Sequence, residues 1–231
     1  MLLCIAMQEY IRILYRWVLE IIFPNSSLDA LLYNIQGALP SHISTHYIKI
    51  ANVEKEIKVT SLADYGDHNV STLIWGLKYL GDAEVVAVLA DALSSYLIEE
   101  VAELLSVYPG REVIIVPVPL SKQRKKYRGF NQLELVLDKV KTINSELSKF
   151  INYSTLQKHK DTKPQTHLTK KERLKNIKGV FSLKDIEVLK GVHVILIDDV
   201  LTTGATVTEV SRLMLKQGIS GIEIVTISRR L

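Results

Sequence analysis

The chain has 231 residues, of which 47% are hydrophobic and 23% charged, and its formal net charge is +4 at pH 7. This composition is typical of a globular protein with a substantial core and excludes a disordered or low-complexity chain. The single cysteine, Cys4, excludes an internal disulfide and a cysteine-rich zinc site, so a reducing cytoplasm is the expected compartment.

The positive charge is concentrated in two segments. Residues 122–128 hold five basic and no acidic side chains, and residues 158–178 hold eight basic and two acidic ones. The rest of the chain is therefore net negative. Local basic clusters are expected where a polyanionic ligand or a nucleic-acid strand approaches, although solvated basic loops without a partner have the same composition.

An amphipathic helix is predicted over residues 5–23, where charged side chains recur every three or four residues in an otherwise apolar stretch. The charges argue against a membrane span, and Pro24 ends the helix. We expect it to pack against the main domain, with a partner surface or a membrane interface as the alternative. Residues 25–57 show little periodicity, so residues 1–58 are interpreted as a small N-terminal extension.

Strands and helices alternate from residue 59 onwards. The predicted strands are 59–65, 113–118, 154–157, 181–183, 192–197 and 222–227, and the predicted helices are 67–79, 83–107, about 130–150, and 205 to just before Gly218. This alternation is typical of an α/β domain with a doubly wound parallel sheet and right-handed crossovers. We therefore place the main domain at residues 59–231 and assign these strands to one sheet.

A basic loop is predicted after the strand at 113–118. In an open parallel sheet such loops gather at the carboxyl edge and line the ligand crevice. The basic side chains there suit a diphosphate, because a guanidinium group binds phosphate in a bidentate manner. The alternative is a surface turn that leads into the next helix. Lys78, at the end of helix 67–79, could reach the same anion or face solvent.

The polar, lysine-rich stretch 158–178 is interrupted by Pro164. A segment of this length within a compact domain is usually a lid or a disordered loop. We therefore expect it to close over a ligand.

Two aspartates, Asp198 and Asp199, follow the hydrophobic strand at 192–197, and threonines and a glycine lead from them into a helix. Backbone N–H groups at a helix start and threonine hydroxyls can bind a phosphate. Carboxylates one step away can accept hydrogen bonds from sugar hydroxyls. This order of residues predicts a site for a phosphorylated ribose at the end of the strand.

Two other interpretations compete with the sugar site. Nucleotide hydrolases also have a hydrophobic strand that ends in acids, but they need G-x-x-x-x-G-K-[ST], and here Asp82 and Ala83 follow Gly76 and Gly81. The other interpretation is an ordinary strand–turn–helix with solvent-facing acids. The histidines show no metal-ligand spacing, and we assign them no role.

Residues 197–206 resemble the phosphoribosyl pyrophosphate (PRPP) signature of type I phosphoribosyltransferases, and the string Arg-Gly-Phe-Asn-Gln at 128–132 resembles the ComF family of competence-associated proteins. The resemblance implies a doubly wound parallel α/β sheet of the type I phosphoribosyltransferase kind, preceded by a small helical extension. It implies that Asp198 and Asp199 are the catalytic acids that contact the ribose hydroxyls. It places the 5′-phosphate against a loop of five residues, Thr202, Thr203, Gly204, Ala205 and Thr206.

The resemblance assigns two further groups of residues. The pyrophosphate loop comprises Lys122, Arg124 and Arg128, and the flexible lid comprises Lys158, Lys160, Thr162, Gln165 and Arg173. Lysine at positions 158 and 160, where the family pattern has arginine, keeps the charge but not the bidentate fork. The cysteines of the family's zinc module are absent, so we expect a metal-free remnant and no zinc.

By this resemblance the protein binds PRPP with Mg²⁺, without a direct protein ligand to the metal, and an unidentified nitrogen acceptor displaces pyrophosphate. The resemblance also implies a role in DNA uptake during natural transformation, together with the competence machinery. The alternative is a non-catalytic accessory protein that binds PRPP or single-stranded DNA, with Tyr127 and Phe130 stacking on bases.

Overall fold

A computed structural model describes residues 43–50, 56–161 and 170–230. The strands are β1 (Ser44–Lys49), β2 (Glu56–Asp64), β3 (Val113–Pro117), β4 (Leu156–Lys158), β5 (Phe181–Leu183), β6 (His193–Leu201) and β7 (Gly221–Arg229). The α-helices are α1 (His68–Tyr79), α2 (Ala83–Val107), α3 (Lys122–Arg128), α4 (Gln132–Ile143), α5 (Lys170–Ile177) and α6 (Ala205–Leu215). Two 3₁₀ helices lie at Ser145–Phe150 and Ile186–Leu189. The helix predicted at 5–23 lies outside the described residues.

The central sheet has the strand order β1-β2-β7-β6-β3. Strands β2, β7, β6 and β3 are parallel, and β1 pairs with β2 as an antiparallel edge strand. The predicted α/β class with a mostly parallel sheet is confirmed. The sheet includes β1 and the first residues of β2, which precede the predicted start of the domain at residue 59.

Strands β4 and β5 form a separate two-stranded antiparallel sheet. The prediction that they belong to the central sheet is wrong, because other residues occupy the outer edge of β3. There Ile151 forms a parallel bridge with Ile115, and the Asn152 N–H donates to the Ile115 carbonyl at 2.9 Å. The short β4 strand, which follows directly, pairs with β5 instead.

Helices cover the central strands. Helix α2 packs on α4, and α6 packs on β7, β5 and α5. Residues Val194, Ile195, Leu196 and Ile197 of β6 are fully buried, as expected for a parallel strand covered on both faces. The described helices include none with the length and apolar character that a membrane span requires.

Residues 122–128 form helix α3, where the sequence predicted a loop. The Ser121 Oγ accepts the Arg124 N–H at 3.4 Å at the start of the helix. Gly129, with a φ of 83°, ends it by donating its N–H to the Lys125 carbonyl at 2.8 Å. The prediction was wrong because lysine, glutamine and arginine are good helix formers, and a serine cap and a left-handed glycine flank them.

Candidate functional site

The acidic pair lies at the carboxyl edge of the central sheet. Strand β6 continues through Asp198 and Asp199 to Leu201, because it pairs with β7 up to Arg229, whereas the sequence predicted its end before the pair. The Asp199 N–H donates to Asp198 Oδ1 at 2.9 Å, and the Val200 N–H donates to Asp199 Oδ1 at 2.6 Å. The backbone therefore orients both carboxyl groups.

Two helices contribute side chains to the same oxygen of Asp199. Lys78 Nζ lies 2.9 Å from Asp199 Oδ2, and Gln132 Nε2 donates to that oxygen at 2.9 Å. Gln132 Oε1 accepts a hydrogen bond of 3.1 Å from Arg128, whose guanidinium lies 5.3 Å from the centre of the Tyr79 ring. Residues from α1, α3 and α4 are thus connected to the acidic pair.

The two carboxyl groups differ in their electrostatic surroundings. Burial and the charge of Asp199 raise the pKa of Asp198 to about 7. Burial also opposes the ionisation of Asp199, but the Lys78 ammonium and hydrogen bonds from Lys78, Val200 and Gln132 outweigh it and hold its pKa below the ordinary value. The pair therefore consists of an ionised carboxylate and a neighbour that titrates near neutral pH.

The turn after β6 leads directly into helix α6. Gly204 is the residue before the first turn and has a φ of 71°, and among the described side chains none caps this helix end. The Thr203 Oγ1 is buried without a hydrogen-bond partner in the described part of the chain. Of the other predicted phosphate-binding residues, Thr202 is exposed, Thr206 is half-buried and Ala205 is buried. The turn thus combines an uncapped helix start with a buried hydroxyl.

Lys158, at the end of β4, brings the start of the predicted lid to the acidic pair. Burial and the charge of Arg124 lower the pKa of Lys158 to about 8, against the charges of Asp198, Asp161 and Asp199, which raise it. Lys158 Nζ also lies 5.5 Å from the centre of the Phe181 ring. This lysine is therefore within electrostatic reach of both the acidic pair and helix α3.

For the other residues predicted for the pyrophosphate loop and the lid, the structure gives the exposure or the position in the fold. Lys122 and Lys160 are exposed, and Arg173 lies in α5. The Ser121 hydroxyl donates to the Asp161 carboxylate, which joins the start of α3 to the segment after β4. Thr162 and Gln165 lie outside the described residues.

The sequence did not predict the roles of Lys78 and Gln132 as partners of Asp199. Gln132 closes the Arg-Gly-Phe-Asn-Gln string, which is a local signal, but its partner lies 67 positions further along the chain. The described residues contain no group of three or more His, Cys, Asp or Glu side chains arranged to hold a metal ion.

The chain is similar in sequence to a protein-family model and to several characterised proteins. The family model described as "Phosphoribosyl transferase domain" matches residues 131–231. The chain is 30% identical to the DNA utilization protein YhgH of Salmonella typhi over 174 residues, which is 75% of this chain and 73% of that protein. It is 32% identical to the competence protein ComFC of Bacillus subtilis over 158 residues, 68% of this chain and 58% of that protein.

A shorter match is to the competence protein F of Haemophilus influenzae, with 35% identity over 123 residues, 50% of this chain and 49% of that protein. Among solved structures, adenine phosphoribosyltransferase from Saccharomyces cerevisiae is 12% identical, with a TM-score of 0.38, over 85% of this chain and 89% of that chain.

Proposed function

Because the chain belongs to the ComF family and matches a phosphoribosyl transferase domain, we propose that it binds PRPP and transfers its phosphoribosyl group to a nitrogen acceptor with release of pyrophosphate. The observation that carries the proposal is the acidic pair of β6, which a short turn joins to the uncapped start of α6 and which lies within reach of Lys78 and Lys158. A phosphorylated ribose has the hydroxyls and the anionic groups that this arrangement would bind.

Each part of the site has a role in this proposal. Asp198 and Asp199 accept hydrogen bonds from the ribose hydroxyls, while the turn at Thr203 and Gly204 holds the 5′-phosphate. The buried Thr203 hydroxyl supports this role, since a phosphate oxygen would supply the partner that it lacks among the described residues. Thr202, Ala205 and Thr206 complete the phosphate loop.

The basic groups stabilise the leaving group. As the bond from the anomeric carbon to the diphosphate breaks and the bond to the acceptor nitrogen forms, negative charge grows on pyrophosphate. Lys122, Arg124 and Arg128 on or at the ends of α3, with Lys158 of β4, would stabilise that charge. A lid comprising Lys158, Lys160, Thr162, Gln165 and Arg173 would exclude water from the reacting carbon.

Mg²⁺ is part of the proposal as a companion of PRPP. Carboxylate oxygens are suitable ligands for this ion, but Asp199 Oδ2 already contacts both Lys78 and Gln132. The site therefore fits a Mg²⁺ ion whose ligands are diphosphate and water oxygens. When bound, Mg²⁺ would neutralise charge on the diphosphate. No protein side chain is assigned as its ligand, and no zinc is expected.

A pyrophosphate-release assay tests the enzymatic part. We expect release from PRPP that requires Mg²⁺ and one acceptor from a panel of nucleobases and amines. The Asp198→Asn, Asp199→Asn double variant should release none. If PRPP binds but no acceptor in the panel gives pyrophosphate release, the protein is better described as a non-catalytic PRPP-binding protein. Absence of PRPP binding would contradict the whole proposal.

A second candidate function is the binding of single-stranded DNA in natural transformation; the relatives include proteins named as competence proteins and as a DNA utilization protein. One observation favours it: Tyr127 is 80% exposed on the basic helix α3, where a base could stack on its ring. Phe130 does not support this role, because its ring packs against Gly81 and not outward towards a base. The packing is so close that a Cβ added at Gly81 would lie 3.0 Å from the Phe130 ring.

DNA binding through phosphate charge should weaken steeply as salt rises. Titration of a fluorescent oligonucleotide at increasing salt measures this, with Tyr127→Ala as the stacking variant and Tyr47→Ala, another exposed tyrosine, as its control. Equal affinities of the two variants would remove Tyr127 from the proposed DNA surface.

A further inference from the structure

Lys78 and Gln132 make the two members of the acidic pair unequal. Both side chains contact Oδ2 of Asp199, while the Val200 N–H contacts its Oδ1. The side chains of Lys78 and Asp199 are only 22% and 16% exposed, so their ion pair is less screened by water than a surface pair. For Asp198, the hydrogen bond found in the described part of the chain is the one from the Asp199 N–H.

Neighbouring carboxyl groups with little solvent around them do not both ionise readily, because each charge opposes the other. The nearest cation then decides which member carries the charge. Among the described residues, Lys78 of α1 and Lys158 of β4 are cations whose charges act on the pair. Lys78 contacts Asp199 directly, whereas Lys158 is also subject to the repulsion of Arg124 and interacts with both aspartates over a longer range.

We infer that Lys78 is a positioning residue: it fixes Asp199 as the permanent carboxylate of the pair and leaves Asp198 as the member that gives up a proton when a sugar hydroxyl binds. The inference rests on the proposed function only in taking the ligand to be a phosphorylated ribose. The asymmetry itself is a property of the free protein.

The proton release follows from hydrogen-bond chemistry. A ribose hydroxyl donates to a carboxylate, and a charge-assisted bond of this kind is stronger than one to a protonated carboxyl group. Binding therefore favours the ionised form of Asp198, and its proton passes to the solvent. Because burial and Asp199 raise the pKa of Asp198 to about 7, the free protein holds a proton on Asp198 in part of its molecules near neutral pH, and ligand binding would release it.

Carbon-13 NMR of the aspartate carboxyl groups tests the asymmetry without any ligand. We expect Asp199 to remain ionised from pH 5 to 9 and Asp198 to titrate near neutral pH, with the signals assigned through Asp198→Asn and Asp199→Asn. In Lys78→Met, the Asp199 titration should move upward, and in Lys78→Arg it should not. Titration of Asp199 near pH 7 in the wild type would overturn the inference.

Calorimetry with ribose 5-phosphate tests the consequence for binding. Lys78→Met should lose affinity about tenfold at pH 7 and recover most of it at pH 9, because each unit by which the raised Asp199 pKa lies above the pH of the experiment lowers the affinity about tenfold. Lys78→Arg should stay within about threefold of the wild type, as should Lys139→Met, which removes an exposed lysine of α4. A loss in Lys78→Met that is equal at both pH values would indicate a purely structural contact and overturn the inference.

The two measurements separate the inference from the proposed function. If the wild type does not bind ribose 5-phosphate, the proposed function fails, while the NMR titration of the free protein still decides whether Lys78 makes the pair asymmetric. If ribose 5-phosphate binds but the Lys78→Met titrations match those of the wild type, the proposed function stands and the inference is wrong.

Discussion

Gly204 shows how one residue fixes the geometry of the turn between β6 and α6. Its φ of 71° lies in the left-handed region, which residues with a Cβ adopt at a cost of about 1–2 kcal/mol. Space is not the constraint, because a Cβ at this position would lie 3.9 Å from its nearest neighbour, Val207. Glycine is therefore needed here for its backbone conformation.

We predict that Gly204→Ala lowers the free energy of unfolding by about 1 kcal/mol, measured by urea titration, and weakens ribose 5-phosphate binding. Gly204→Asn should be less destabilising, because asparagine tolerates the left-handed region better. Equal stability of Gly204→Ala and the wild type would show that this strain does not fix the turn.

The side chains of the three basic residues assigned to pyrophosphate can be tested by substitution. Replacing Lys122, Arg124 and Arg128 with glutamine should weaken pyrophosphate binding about tenfold or more, because charge-assisted hydrogen bonds are lost, and ribose 5-phosphate binding by less than about threefold. Competition calorimetry with each ligand measures the two effects, and Lys139→Gln serves as a control for loss of charge. Equal losses for both ligands would remove the leaving-group role.

At the scale of elements, a second polar network joins β2, α2 and β7 near the amino ends of the parallel strands, at the opposite edge from the acidic pair. Lys58 Nζ lies 2.6 Å from Glu100 and 3.4 Å from Glu223, and the Tyr96 hydroxyl donates to Glu100. Burial and the adjoining Glu100 carboxylate raise the pKa of Glu223 to about 8. The network holds helix α2 on the sheet with Glu223 largely protonated at neutral pH.

The sign of the resulting pH dependence is set by the raised pKa of Glu223. Its pKa is about 8 in the folded state and about 4.5 in the unfolded chain, so its contribution to stability is complete below pH 4.5 and is lost as pH rises to about 8. Glu223→Gln should reduce this loss by on the order of 2 kcal/mol between pH 5 and 9. Urea unfolding at pH 5, 7 and 9 measures it.

The control for this prediction is Glu187→Gln, since Glu187 is exposed and pairs only with Lys190 among the described contacts. Its stability should follow the wild-type pH dependence. If the curves for Glu223→Gln and the wild type run parallel from pH 5 to 9, Glu223 is ionised in the folded protein and the network is an ordinary ion cluster.

At the scale of the whole molecule, local sequence patterns predicted the elements well where they were long and regular. The helix predicted at 83–107 has the same bounds as α2, which begins at the capping side chain of Asp82. The order of strand, acids, turn and helix at 192–215 is also local, and it survives in the structure except that β6 runs through the acids.

The features that the sequence did not reveal depend on distant partners. The pairing of β4 with β5, and of β1 with β2, is decided by which sheet edges are free, and that is a property of the assembled sheet. The contact of Lys78 with Asp199 joins α1 to β6, and no periodicity of either segment indicates it. The helical propensity of α3, in contrast, was a local signal that the loop interpretation overlooked.

The central claim is that the carboxyl edge of the sheet binds a phosphorylated ribose through Asp198 and Asp199. The most direct test is calorimetric titration of PRPP, with Mg²⁺, into the wild type and into the Asp198→Asn, Asp199→Asn double variant, after circular dichroism has shown that both are folded. We predict binding to the wild type and a loss of about 100-fold or more in the variant, because two hydrogen bonds to charged groups are removed. Equal affinity of the two proteins for PRPP would contradict the claim.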